Sequence, residues 1–112
     1  MSTAKVYGIP NCGSVKKALD SLQGQGAHIE FHDFKKLGVP PALLDLWIQQ
    51  LGLDKLINKK GTTWRKLTPQ QQAQANTEGT AKTLLQENPS LIKRPIVDYK
   101  QQLSIGQTDF SS

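Results

Sequence analysis

Cysteine occurs once in these 112 residues, at Cys12, and a lone cysteine excludes an intramolecular disulfide. Histidine is nearly as scarce. His28 and His32 stand at i and i+4 on what reads as a strand, too far apart to share a metal. No third histidine or second cysteine completes a ligand set, so both read as solvated or half-buried strand residues and no metal is expected. No apolar run approaches about 18 residues, so no membrane span is expected. Internal repeats and low-complexity linkers are also missing, which predicts a single domain over residues 1–112 with one modest core. Met1-Ser2-Thr3-Ala4-Lys5 runs into the first strand without the pattern of a signal peptide. A reducing cytoplasm is the expected home of a working free thiol. The formal charge of +5 raises the question of nucleic acid. The basic residues are scattered from Lys5 to Lys100 rather than gathered in a tract, and no nucleic-acid motif is present. Direct nucleic-acid binding is therefore not expected, whereas a positive field around a pocket would serve anionic thiols or oxyanions.

What the chain does contain is organised around Tyr7 to Ala18, Y-G-I-P-N-C-G-S-V-K-K-A. Lys5 to Ile9 reads as a short strand ended by Pro10. Val15, Ala18, Leu19 and Leu22 then fall at i, i+3, i+4 and i+7, the buried stripe of a helix reaching Gln23 and stopped by Gly24 and Gly26. Asn11 or Cys12 is thus the N-cap, with Gly13 and Ser14 in the first turn. That position alters the chemistry of a thiol. The first N–H groups of a helix lack intrahelical partners and the macrodipole adds positive charge, both of which favour thiolate. Lys16 or Lys17, bent back, would add to the effect. A free thiol has a pKa of about 8.5, and helix N-termini bring it to roughly 3.5–7.5. A drop of about 1.5 in pKa needs about 2 kcal/mol of preferential anion stabilisation, within reach of this site. A lone cysteine is more often an inert, buried hydrophobe, but Pro10-Asn11-Cys12-Gly13 at a helix start favours the reactive reading.

Further along, His28 to Phe34 alternates polar and apolar residues as a strand, with Ile29 and Phe31 on one face. With the preceding strand and helix it makes a βαβ unit, for which parallel pairing is expected. Lys35 to Pro41 reads as a connector, and Leu43, Leu44, Trp47, Ile48 and Leu51 as a helix stripe closed by Gly52. Asp54 to Ile57 could add a short turn of helix. Asn58 to Leu67 reads as an irregular basic loop with an exposed Trp64-Arg65 pair. Thr68-Pro69 starts a polar helix, and Glu78 to Glu87 forms another, ended by Asn88-Pro89. Pro95 then leads a strand through Ile96 and Val97, and Gln102 to Ile105 returns as the second arm of a hairpin.

A βαβ unit with cysteine at its first helix start, then helices, then a proline-led hairpin, resembles the thioredoxin-like fold. The strings Y-G-I-P-N-C, F-H-D-F-K-K, G-T-T-W-R-K-L and L-I-K-R-P-I-V resemble its ArsC-like branch, and within it the Spx/YffB group. The resemblance implies an α/β thioredoxin-like fold, a mixed β-sheet of about four strands with an inserted helical segment. It makes Pro95 a cis-proline facing the cysteine, Cys12 the nucleophile, and Arg94 the arginine that helps hold an oxyanion near the sulfur. Cys12-Gly13-Ser14 is similar to the C-G-[TS] anion loop of glutathione-dependent arsenate reductases. Asn11, Gly13, Ser14, Lys16, Lys93 and Pro95 become candidate substrate-binding residues, with Arg65 as a further cation from its own loop. Two arginines that arsenate reductases use are missing: one position aligns near Asn58, and the one after the hairpin has no arginine counterpart. Val15 stands where a C-x-x-C pair would place its second thiol, which excludes a two-cysteine switch.

The activity implied is therefore a glutathione-dependent thiol oxidoreductase working through a mixed disulfide on one cysteine. No bound cofactor is implied, and glutathione or another small thiol is the co-substrate, with a glutaredoxin as a candidate for releasing the product. An arsenate reductase is one alternative. A non-catalytic Spx-like regulator that binds RNA polymerase is another.

Overall fold

The central strand of the sheet is β1, Thr3–Gly8, in a computed structural model that describes residues 2–111. Ala4 and Val6 share one face of it and are fully buried, as the two-residue period of a strand requires. Along one edge β1 pairs in parallel with β2, His28–Asp33, from Thr3↔His28 to Gly8↔Asp33. Along the other it pairs antiparallel with β3, Ile96–Tyr99, which in turn pairs with β4, Gln102–Ile105. The result is the expected four-stranded mixed sheet, in the order β2-β1-β3-β4.

The helix α1, Gly13–Gly24, joins β1 to β2. Its Val15, Ala18 and Leu22 are buried, as their spacing predicted. Val15 and Leu22 pack with Ala4, Val6, Val97 and Tyr99, while Leu19, Ile29 and Phe110 are partly buried against this cluster. Burying a Val or Leu side chain contributes about 1.5–3 kcal/mol, so a few such residues seat the helix. The C-terminal segment adds no helix; the Phe110 N–H donates to Ser21 Oγ at 2.7 Å, and its ring meets Tyr99 edge-on at 6.2 Å. In the β3–β4 turn, Lys100 and Gln101 have φ of 51° and 63°, the left-handed pair that matches the twist of a two-residue hairpin.

The chain divides into two compact units. One comprises the segment up to Leu37 together with that from Arg94 onward, which holds the sheet and α1; the other is Gly38–Lys93. Within the second, α3 (Pro41–Leu51) starts on Pro41, ends at Gly52 (φ 90°) and buries Leu44 and Trp47. It is followed by α4, Leu53–Leu56. A capping box between Thr68 and Gln71 opens α6, Pro69–Ala73, which runs on as a 3₁₀ turn over Gln74–Asn76. The last helix, α7 (Glu78–Glu87), buries Ala81, Leu84 and Leu85. Lys82 of α7 forms an ion pair with Asp45 of α3, and Gln86 Nε2 donates to the Val39 carbonyl at 3.1 Å. Ile57 and Ile92 form an isolated antiparallel bridge, flanked by Lys93 N–H to Leu56 O at 2.7 Å.

Two stretches depart from the sequence reading. The connector after β2 contains a helical turn, α2, Phe34–Leu37, begun by Asp33 Oδ1 accepting from the Lys35 N–H at 2.8 Å. The basic stretch read as an irregular loop contains α5, Thr62–Lys66. No apolar stripe marks five residues; specific contacts hold them instead. Gln72 Nε2 donates to the Trp64 carbonyl at 3.0 Å, and Lys59 Nζ lies 5.5 Å from the centre of the Trp64 ring, which is half-buried rather than exposed.

At the end of β1, Gly8 lies so close to α1 that a Cβ there would sit 2.8 Å from Val15 Cγ2. Gly8→Ala is expected to destabilise the protein by about 1–3 kcal/mol. In urea unfolding, Val15→Ala should cost less in the Gly8→Ala background than in the wild type; strictly additive losses would refute this close approach.

Candidate active site

The turn between β1 and α1 fixes where the thiol stands. Asn11 takes the left-handed conformation, with φ of 62°, which asparagine tolerates better than most residues. Cys12 follows as the N-cap of α1 with extended φ and ψ of −104° and 123°, and its carbonyl accepts the helical bond from Lys16 N–H at 3.0 Å. No side-chain hydrogen bond of ordinary capping geometry closes this helix start. The sulfur instead stands at the N–H groups of the first turn, half-buried and free of any disulfide.

Three influences set its acidity. Partial burial is the largest single one and pushes the thiol up. The backbone N–H groups of Val15 and Ser14, followed by the charge and side-chain hydrogen bond of Arg94, act the other way and together win. The thiol is therefore held below the ordinary value of a free cysteine. Neither Lys16 nor Lys17 contributes to this lowering, so the charge expected from the helix itself comes from Arg94.

Arg94 reaches the sulfur from the segment that leads into β3, and the Arg94–Pro95 bond is cis. The antiparallel register of β3 on β1, with Tyr7↔Ile96, places Arg94 and Pro95 just beyond the end of β1 that carries Cys12. Pro95 precedes the strand rather than beginning its ladder, and its carbonyl accepts from Gly106 N–H at 2.9 Å.

Gly13, Ser14 and Lys16 all lie in the first turns of α1 beside the thiol. Gly13 is open, with no atom within 4 Å of where a Cβ would stand. Lys93 and Arg65 belong to the other unit. Lys93 N–H is bound to the Leu56 carbonyl, and Arg65 Nη2 donates to the Lys60 carbonyl at 3.2 Å, which ties that guanidinium to its own loop. His28 is exposed, while the His32 ring packs between Tyr7 at 5.5 Å and Phe34 at 5.8 Å. Among the described residues no group of three or more His, Cys, Asp or Glu could hold a metal, and no helix is long and apolar enough to cross a membrane.

Beside Cys12 lies a groove of about 540 Å³ that the sequence reading did not foresee. Pro10, Val15, Lys16, Leu19 and Phe31 contribute to its lining. The available signal was the alternation of β2, which puts Phe31 in register with Val6 and so on the face that α1 covers. What it could not show was that this edge of the helix leaves Phe31 partly open.

A cysteine at a helix start, an arginine before a cis-proline and a mixed four-stranded sheet define a thioredoxin-like fold with its cysteine at the β1–α1 junction. The model of the ArsC family matches residues 7–110, and the chain belongs to that family. It is 38% identical over 109 residues to an uncharacterized protein of Haemophilus influenzae, covering 96% of this chain and 95% of that one. The solved YffB protein superposes with a TM-score of 0.84 at 34% identity, over 92% of this chain and 90% of that one. An arsenate reductase (ArsC) related protein from Brucella melitensis gives a TM-score of 0.72 at 34% identity, over 94% and 87% of the two chains. The arsenate reductase from Vibrio cholerae shares the fold, with a TM-score of 0.77 at 22% identity over 94% of this chain and 90% of that one.

The direction of the Cys12 shift sets a pH window. A lowered pKa means the folded protein holds fewer protons than the unfolded chain between the lowered value and the ordinary one. Stability relative to Cys12→Ser is therefore expected to rise with pH across that window and to be lost as pH falls through the folded pKa. Reactivity should follow the same ionisation: the rate of iodoacetamide alkylation against pH should have its midpoint below that of free cysteine measured alongside. Arg94→Ala should move that midpoint upward. An unmoved midpoint would leave the backbone N–H groups as the sole stabilisers.

Proposed function

We propose that this protein is a thiol oxidoreductase that works through a mixed disulfide on Cys12, with glutathione as the co-substrate. The observation that carries the reading is the thiol at the start of α1, held below its ordinary pKa by two backbone N–H groups and Arg94. Attack by thiolate on a disulfide sulfur needs ionised, accessible sulfur; the lowered pKa of Cys12 favours the first and its partial exposure permits the second. The Cys12 thiolate attacks one sulfur of a disulfide; a bond forms between Cys12 Sγ and that sulfur as the substrate S–S bond breaks. The second sulfur leaves with the electron pair and takes up a proton. Glutathione thiolate then attacks the substrate sulfur of the mixed disulfide; an S–S bond between that sulfur and glutathione forms as the bond to Cys12 Sγ breaks, and Cys12 returns as thiolate. No second cysteine exists to resolve the bond, so an external thiol must do so. Release of the glutathione adduct by a glutaredoxin fits the same scheme. The carboxylates of glutathione suit a cationic surround, which Arg94 supplies at the thiol and Lys16 in the groove beside it. Membership of the ArsC family supports thiol-dependent reduction as the class of chemistry.

Arsenate is the less favoured substrate, because two arginines that would hold the oxyanion have no counterpart in the sequence. Each missing charge-assisted contact costs roughly 1.5–3 kcal/mol, about ten- to a hundredfold in binding. The test runs two assays on one sample. With glutathione disulfide, intact-mass spectrometry is expected to show one glutathione adduct, absent in Cys12→Ser and slower to form in Arg94→Ala. With arsenate and glutathione, turnover is expected to be poor. Robust arsenate turnover would reverse the order of the two readings. Absence of any adduct would favour a regulator that binds a partner such as RNA polymerase without using Cys12.

A further inference from the structure

The groove beside Cys12 is lined by the apolar side chains of Pro10, Val15 and Leu19 and by Phe31 of β2, with Lys16 as its cation. Arg94, which meets the same sulfur, is not among the lining residues. Phe31 is 37% exposed, one of three large hydrophobic side chains left open in the described chain, and the only one of them beside the thiol. Its strand is the outer edge of the sheet, so no further strand covers it. A lone open apolar residue needs no explanation. This one lines a concave trough of about 540 Å³ whose lining includes Cys12, so a group joined to that sulfur has an apolar surface beside it.

We propose that this trough is the subsite for the substituent on the attacked sulfur, and that it selects disulfides bearing an aromatic or branched apolar group with a nearby carboxylate. The proposal rests on the mixed-disulfide reading above and deepens it by naming the substrate class. The apolar group lies between Leu19 and Phe31, and the carboxylate meets Lys16 at the rim. The bond exchange is unchanged: Cys12 Sγ bonds to the sulfur whose substituent occupies the trough, and the other sulfur departs as thiolate. Glutathione, small and polar, makes little use of the trough. It serves as the resolving thiol, whereas a disulfide carrying an apolar group gains from it before attack. Phe31 and Leu19 are specificity-determining residues rather than catalytic ones.

The experiment compares two dianionic disulfides in single turnover on the reduced protein: dithiobis(nitrobenzoate), which is aromatic, and dithiodipropionate, which is aliphatic and unbranched. The quantity read is the ratio of the two second-order rates. Differences in leaving group and overall charge are constant for each probe, so they cancel when the ratio in a variant is divided by that in the wild type. Phe31→Ser is expected to lower the ratio roughly tenfold or more, the size of effect that lost apolar contact in a pocket produces. Leu19→Ser should lower it in the same direction. Leu46→Ser, an exposed leucine of the other unit, should leave it unchanged. An unchanged ratio in both Phe31→Ser and Leu19→Ser, or an equal fall with the two probes, would overturn the proposal. Near-native circular dichroism of each variant, or Phe31→Leu with a smaller fall where Phe31→Ser does not fold, keeps the comparison valid. No glutathione is present, so a protein that never turns over with glutathione still returns this ratio. A failed ratio equally leaves glutathione turnover untouched.

Discussion

Everything the thiol does depends on how closely the start of α1 is pressed onto the end of β1. Gly8 has no side chain, and Val15 fills the space where one would be. That contact sits inside the cluster of Ala4, Val6, Val97 and Leu22, so the same burial that holds the sheet and helix together aims the first turn of the helix. The N–H groups of Ser14 and Val15 are then fixed at the sulfur without any reorganisation when the thiolate forms. Asn11, in a left-handed conformation, turns the chain sharply enough for Cys12 to be the N-cap rather than a residue inside the helix.

The second constraint is the pairing of β3 with β1. An antiparallel partner beside the strand that carries the cysteine delivers its own leading residues to the same end of the sheet. Arg94 arrives there although more than eighty positions separate it from Cys12 along the chain. Burial opposes ionisation of the thiol, and two neutral N–H groups with one fixed cation reverse it. The balance is between a desolvation cost and short-range compensation. A partly exposed sulfur keeps the first small enough for the second to prevail.

The central segment, Gly38–Lys93, is built on a different economy. Its helices α3 and α7 have buried faces, but α4, α5 and α6 are too short to be stable by propensity. The last two are held by side-chain-to-backbone bonds: the Thr68–Gln71 box, Gln72 on the Trp64 carbonyl, Arg65 on the Lys60 carbonyl. Arg65, a candidate for the pocket on sequence grounds, donates one of its guanidinium N–H groups in this way.

The residues by themselves determined the strand–helix–strand start, a helix N-cap at Asn11 or Cys12, the helix stripes of α1 and α3, and the hairpin led by Pro95. Each is a local pattern, a period of two or of 3.6 ended by glycine or proline, and such patterns are written in neighbouring residues. Tertiary structure decided the rest. The stretch 58–67 carries no periodicity, so its helix became visible only through contacts with Lys59 and Gln72. The lysines next to Cys12 were plausible cations by proximity in sequence. The cation that acts on the sulfur is Arg94, because strand pairing rather than chain distance sets which charge is near. The trough at Phe31 was decided last of all. Alternation assigns a residue to a face, but how much of that face a helix covers depends on where the helix lies, and Gly8 and Val15 set that position.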